Sequence, residues 1–327
     1  MRVAQTKPLF AWDCLDDSPT LKSIRQLLAA VPDGRLLDSL KTARGKGRDD
    51  YAITSLWGVL LLTVALRHPT TEACLAELRR NASLRRLIGL GSEEGVPRKW
   101  NMSRFLDTLG RQPHLALLHE VFNVMARRLA EVVPDLGRET AGDATSLNAR
   151  RKKEQAAGNE KADGLPQPAG GRKEYTDQDG KVTKVVEWFG YKLHLLVDVN
   201  HEVSLAYQVT STKAGDGETL PAVLTEAKAN LPKHRIKTLA YDKAADTRDV
   251  HRVLHKAKIK PLIQNRSLWN EEPERMLPGH DGSSNVVYNE AGTLYCYDRV
   301  SQPMVRHPMA YIGHEPQRQT LKYRCPA

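Results

Sequence analysis

The chain has 327 residues, 40% hydrophobic and 27% charged, which is long enough for two domains with a sizeable core. Its 49 Lys and Arg against 39 Asp and Glu give a formal charge of +10, which points to a polyanionic partner, most simply nucleic acid. No signal core follows Met1, and Cys14, Cys74, Cys296 and Cys325 form no C-x-x-C pair, so export, a disulfide framework and a zinc site are not expected and a reducing cytosol fits.

From about Thr20 to Leu136 apolar residues recur at helical spacing, in "LKSIRQLLAAV", "ITSLWGVLLLTVAL", "EACLAELRRNASLRRLIGL" and "LALLHEVFNVMARRLAEVV". This half is expected to be all-helical, with breaks at "VPDG", "ARGKGRDD", "RHPTT" and "GLGSEEGVP". The apolar run Leu56–Leu66 is too short to span a bilayer and reads as a buried helix. Arg79, Arg80, Arg85 and Arg86 cluster on "ELRRNASLRRL", where they face either DNA phosphates or plain solvent.

The texture changes after Gly137. A polar segment at about 150–182 carries Arg150, Arg151, Lys152 and Lys153 and reads as an insertion, disordered alone and ordered along a DNA backbone. In "EWFGYKLHLLVDVNHEVSLAYQV" the alternation places Phe189, Tyr191, Leu193, Leu195 and Val197 on one face and Lys192, His194 and Asp198 on the other. A turn at "DVNHE" makes a hairpin. His194 is expected at the surface. A helix at "GETLPAVLTEAKANL" is expected to hold Pro221 in its first turn. Strand "RIKTLAY", helix "TRDVHRVLHKAK" and strand "IKPLIQN" complete an α/β sheet with crossover helices.

Two acids stand out. Asp143 in "AGDATSL" precedes the hairpin, and Asp242 ends the strand "RIKTLAY". Each has a modest alternative role, since Asp143 fits a turn and Asp242, with Asp246 and Thr247, fits the capping chemistry of the next helix. Brought together on neighbouring strands, they would repel unless a hard cation intervened. Magnesium suits such a pair, and paired ions suit phosphodiester cleavage or strand transfer. His251 and His255 are spaced i, i+4 but lack the glutamate and third ligand of a zinc site. His114 and His119 share a helix.

The blocks "AGDATSL", "FGYKLHLLVD", "AYDKAADTRDVHRVLHKAKIKPLIQNR" and "ELRRNASLRRLIGL", followed by "VPRKWNMSRFLDTL", resemble bacterial insertion-sequence DDE transposases over nearly the whole chain. The resemblance implies an all-α N-terminal DNA-binding domain at 1–137 and an RNase H-like α/β catalytic domain at 138–327, with a mixed sheet. It implies Asp143 and Asp242 as catalytic metal ligands, Lys192 near the DNA backbone, and Mg2+ with Mn2+ as a substitute. Double-stranded DNA, both element ends and target, would be the partner. A homodimer and a cytoplasmic, nucleoid-associated bacterial protein are also implied.

The sequence departs from that family in its third acid, which should be a glutamate on a helix after the last core strand. Glu290 falls in a hairpin tip, Glu315 precedes a proline, and Glu271, Glu272 and Glu274 crowd another proline. The end at "LKYRCPA" is therefore read as a C-terminal truncation that leaves the catalytic domain incomplete. A non-catalytic DNA-binding remnant and a metal-dependent nuclease on the same fold are the competing expectations.

Overall fold

The structure is a computed structural model describing residues 18–45, 50–149, 166–176, 181–264, 274–277, 284–298 and 300–326. The chain divides into two compact units, 1–241 with 247–262, and 242–246 with 263–327. None of the helices is long and apolar enough to cross a membrane, among the described residues.

The first unit begins with helices α1 (Pro19–Ala30), α2 (Gly34–Arg44), α3 (Ile53–Ala65), α4 (Thr71–Arg80), α5 (Ala82–Leu87), α6 (Lys99–Leu109) and α7 (His114–Val132). Apolar residues line much of the circumference of α3, so it becomes the centre of the bundle: Leu56, Trp57, Val59 and Leu62 are all buried against Leu36, Leu40, Leu75, Leu78, Ile88 and Met102. Its buried polar groups are satisfied, with Trp57 Nε1 donating to the Asp33 carboxylate at 2.6 Å and Ser55 Oγ to the Ile88 carbonyl at 2.8 Å. The arginine-rich run predicted as one periodic stretch is two helices. Asn81 takes an extended conformation, ends α4, and accepts the Leu84 N–H at 3.2 Å to start α5.

After α7 come β1 (Glu139–Asn148), β2 (Ala169–Thr176), β3 (Val182–Asp198), β4 (Ser204–Ser211), α8 (Asp216–Asn230), β5 (Thr238–Tyr241), α9 (Arg248–Lys256) and β6 (Lys260–Ile263). The predicted hairpin is β3 and β4. Around them the sheet runs β4-β3-β1-β5-β6, with β1 antiparallel to β3 and parallel to β5. This mixed order, with crossover helices, fits the RNase H-like fold. Of the polar stretch predicted as an insertion, residues 169–176 form β2, which pairs with the first half of β3 while β4 pairs with the second half. Pro221 lies in the second turn of α8, because the helix starts at Asp216, and there it forgoes one helical hydrogen bond.

The face of β3 that looks polar is the covered one. His194, Leu196 and Asp198 are buried, whereas Tyr191, Leu193, Leu195 and Val197 are only half-buried. Helix α8 lies over that covered face, and Leu239 and Tyr241 of the neighbouring β5 are buried as well. Polar contacts also join the bundle to the sheet: Asn230 at the end of α8 donates to Asn123 Oδ1 of α7 at 2.7 Å and to the Leu205 carbonyl at 3.0 Å. His119 of α7 pairs with Glu226 of α8 and stacks on Tyr207 of β4, centroids 4.5 Å apart.

The second unit holds an antiparallel sheet in the order β10-β9-β8-β7, from β7 (Glu274–Met276), β8 (Val286–Asn289), β9 (Leu294–Asp298) and β10 (Val305–Pro308). A separate hairpin follows, β11 (Ala310–Glu315) with β12 (Thr320–Arg324). Between 274 and 326 Val287 is the only buried large apolar side chain among the described residues. Cross-strand contacts carry more of the order here, with Arg306 over the Tyr295 ring at 3.5 Å and Tyr311 edge-on to Tyr323 at 5.5 Å.

Candidate active site

Asp143 sits midway along β1, exposed, opposite Leu195 in the antiparallel register with β3. Side chains alternate along a strand, so Asp143 shares the less-covered face with Leu195, and Ala144 shares the α8 face with His194. Its Oδ1 accepts the Ala144 N–H at 2.7 Å. Asp242 follows Tyr241, the last residue of β5. Its Oδ1 accepts the Ala244 N–H at 3.0 Å and caps a single 3-10 turn, Lys243–Ala245. The capping role read from sequence is therefore real, but it uses one oxygen. For both aspartates Oδ2 has no protein donor among the described residues.

The strands that lead to the two residues are neighbours. β1 and β5 pair in parallel, Thr140 with Leu239 and Ala141 with Ala240. Asp143 stands two residues beyond Ala141, and Asp242 stands two beyond Ala240. Gly142 lets this happen, because a Cβ there would lie 2.4 Å from the Tyr241 ring, which crosses it.

The remaining acids are engaged or elsewhere. Glu274 accepts the Tyr297 hydroxyl at 2.6 Å and pairs with Arg306 at 2.6 Å. Glu315 ends β11 and pairs with Lys322 at 3.2 Å, while Glu290 lies in the β8–β9 turn. Glu271 and Glu272 lie outside the described residues, as do Arg150, Arg151, Lys152 and Lys153. Among the described residues no three His, Cys, Asp or Glu side chains group to hold a metal ion, and His251 with His255 makes no such group.

Lys192, expected beside DNA, spends its ammonium on Asp216 at 2.5 Å, in the first turn of α8. His194, expected at the surface, is 2% exposed beneath the same helix, with Thr210 Oγ1 at 2.9 Å and Asp216 at 3.5 Å. Burial holds its imidazole below the ordinary histidine pKa, against the pull of Asp216 and helped by Lys192. No local spacing signals Asp216, whose partners are 22 and 24 positions away on another element.

The arginine cluster divides. Arg79, Arg80 and Arg86 are exposed, and Arg80 pairs with Glu77 at 2.9 Å. Arg85 turns inward and donates to the Leu78 and Arg79 carbonyls, both at 2.7 Å, closing the end of α4.

The model of the Transposase DDE domain matches residues 136–301, from the start of β1 through β9 and including both aspartates. The chain belongs to the DDE-domain transposases. A second family model, Transposase domain (DUF772), matches residues 13–108 of this transposase, across α1 to α6. Membership makes it a DNA transposase, a phosphoryl-transfer enzyme of a family that uses divalent metal. Comparison with the curated proteins gave no significant match. Solved structures similar to this chain include a Mos1 transposase paired-end complex with left transposon end and a pre-cleavage Mos1 transpososome. Each is 13% identical over 76% of this chain and 74% of that one, with a TM-score of 0.22, too low to carry any part of the assignment.

Proposed function

We propose that this transposase cuts and joins DNA phosphodiesters with Asp143 and Asp242 as its metal-binding carboxylates, and that Mg2+, replaceable by Mn2+, is the metal. The observation that supports this most is the parallel pairing of β1 with β5, Thr140 with Leu239 and Ala141 with Ala240, since these are the strands that lead to the two acids. Divalent ions paired about 3.5–4 Å apart suit that chemistry. The donor set fits a hard cation, since each aspartate keeps an oxygen without a protein donor among the described residues. When bound, the metal supplies Lewis-acid activation of the attacking oxygen and charge stabilisation of the leaving one.

The side chains do the rest of the work. The local hydrogen bonds to Ala144 and Ala244 fix each carboxylate's rotamer and aim the remaining oxygen outward. Lys192 acts as a positioning residue, tying the start of α8 to β3 through Asp216. Residues 1–137 form the part that grips the element end, through the exposed Arg79, Arg80 and Arg86, and residues 138–327 form the catalytic part. Two copies of the chain hold two ends, and the protein works on the bacterial nucleoid.

The test is strand cleavage and joining on element-end DNA with Mg2+ or Mn2+. Activity that Asp143→Ala or Asp242→Ala abolishes supports the reading, and activity indifferent to both refutes it. A second reading has its own support, because among the described residues no third carboxylate joins the pair. It makes the chain a DNA-binding remnant, and tight binding with no cleavage would favour it. Cleavage without joining would indicate a nuclease.

A further inference from the structure

We infer that the two-stranded ribbon of β2 and the first half of β3 is a second DNA-binding element, and that it binds through one face only. This rests on the DNA reading above and adds a contact site outside the acids and outside the helical bundle.

The argument starts from pairing. Opposite residues on antiparallel strands share a face. Gly171 with Trp188, Lys173 with Val186, and Tyr175 with Lys184 therefore form one face, and Arg172 with Glu187 and Glu174 with Val185 form the other. The second face is electrically closed: Arg172 pairs with Glu174 at 2.6 Å and with Glu187 at 3.9 Å. Among the described residues the first face has no carboxylate. Both of its lysines rest over the Tyr175 ring, 5.4 Å and 5.9 Å from its centroid, and neither has an acidic partner among the described residues.

The ribbon also lacks a core of its own. Tyr175, Val182 and Val185 are 43–45% exposed, and an isolated pair of strands is marginal in water. At its base it is braced. Trp188 lies so flat across Gly171 that a Cβ there would meet the indole at 2.4 Å, and Trp188 Nε1 donates to the Tyr191 carbonyl at 3.2 Å. Thr212, just past β4, donates to the Gly170 carbonyl at 2.9 Å. A ribbon held at one end, with two cations flanking an exposed aromatic ring, matches what a phosphate backbone requires.

The test uses the full-length chain and a mixed-sequence DNA duplex, with affinity followed by anisotropy across a salt series. Lys173→Ala with Lys184→Ala should flatten the plot of log affinity against log salt by about 1.8, two contacts at about 0.9 each. Lys173→Arg with Lys184→Arg should restore the parent slope, which a folding defect would not. Arg172→Ala, on the closed face, should leave the slope unchanged, although it too removes a positive charge. Equal slopes in the parent and the double alanine variant would overturn the ribbon proposal while leaving the DNA reading intact. So would an Arg172→Ala loss as large as that of either lysine, because the sidedness would be gone. A parent that fails to bind the duplex at all would end both.

Discussion

Asp198 is the carboxylate on which the sheet's position relative to α7 depends, and replacing it gives the sharpest stability prediction. It is fully buried at the end of β3 and accepts three hydrogen bonds: Gly137 N at 2.7 Å, His201 N at 2.6 Å and His201 Nδ1 at 2.8 Å. Gly137 begins the run into β1, and Asp198 is itself paired with Thr140, so the same side chain fixes where β1 starts and hence where Asp143 falls. A hydrogen bond to a charged acceptor contributes about 1.5–3 kcal/mol, and a buried donor left alone costs about 1–3 kcal/mol. Water reaches His201 more easily than Gly137, so Asp198→Ala should cost about 3–4 kcal/mol in equilibrium urea unfolding followed by circular dichroism. The pH dependence has a definite sign. Burial alone would raise the Asp198 pKa, but the hydrogen bonds from Gly137 and His201 outweigh it and the carboxyl titrates below its ordinary value. Its contribution is therefore complete above the unfolded aspartate pKa, about 3.9, and is lost as pH falls through the lower folded value. The parent should lose stability more steeply than the variant below about pH 4. A destabilisation under about 0.5 kcal/mol, the range of ordinary surface substitutions, or parallel acid limbs for the two proteins, would refute the reasoning.

Further predictions test individual residues. Gly137→Ala should lower stability by about 2–3 kcal/mol in thermal unfolding, because φ is +79° and the new Cβ would lie 2.4 Å from Leu231 Cδ1. Within the arginine cluster, Arg79→Ala, Arg80→Ala and Arg86→Ala should each reduce the salt slope of DNA binding by up to about 0.9 with little change in melting. Arg85→Ala should instead destabilise the bundle by about 1–2 kcal/mol, through the carbonyls it leaves at the end of α4. Lys192→Met should cost about 2 kcal/mol, leaving Asp216 largely buried and unpaired, and should not move the salt slope of DNA binding. A slope that drops would return Lys192 to the DNA surface.

Local pattern carried the sequence reading where the physics is local. The bundle was legible because 3.6-residue periodicity reports which side of a helix is buried, and the β3–β4 hairpin because alternation reports a strand. Helices α2 and α6 lie outside the four named runs, and the split at Asn81 is hidden because the apolar spacing runs on through the cap. Alternation could not say which face of β3 is covered. That depends on α8 supplying Asp216 to Lys192 and His194, a pairing made across elements. Strand β2 reads as part of a polar insertion because "GGRKEY" has no apolar period; its order comes from pairing with β3 and from Trp188 lying on Gly171. The strands after 300 escaped for the same reason, with exposed Tyr311, Ile312 and Leu321 where a buried face would have signalled them. At the candidate site Asp143 and Asp242 stand out in the sequence and the family resemblance gives their role, while the pairing of β1 with β5, the strands that lead to them, is a relation that no motif contains.

A Mn2+ titration of the purified chain, followed by electron paramagnetic resonance, tests that relation most directly. The account predicts saturable quenching of the free-ion signal in the parent, and binding at least about tenfold weaker in both Asp143→Ala and Asp242→Ala, as expected when a ligand of a shared site is lost. Undiminished binding in either single variant would contradict it, because the two carboxylates would then not serve the same ions.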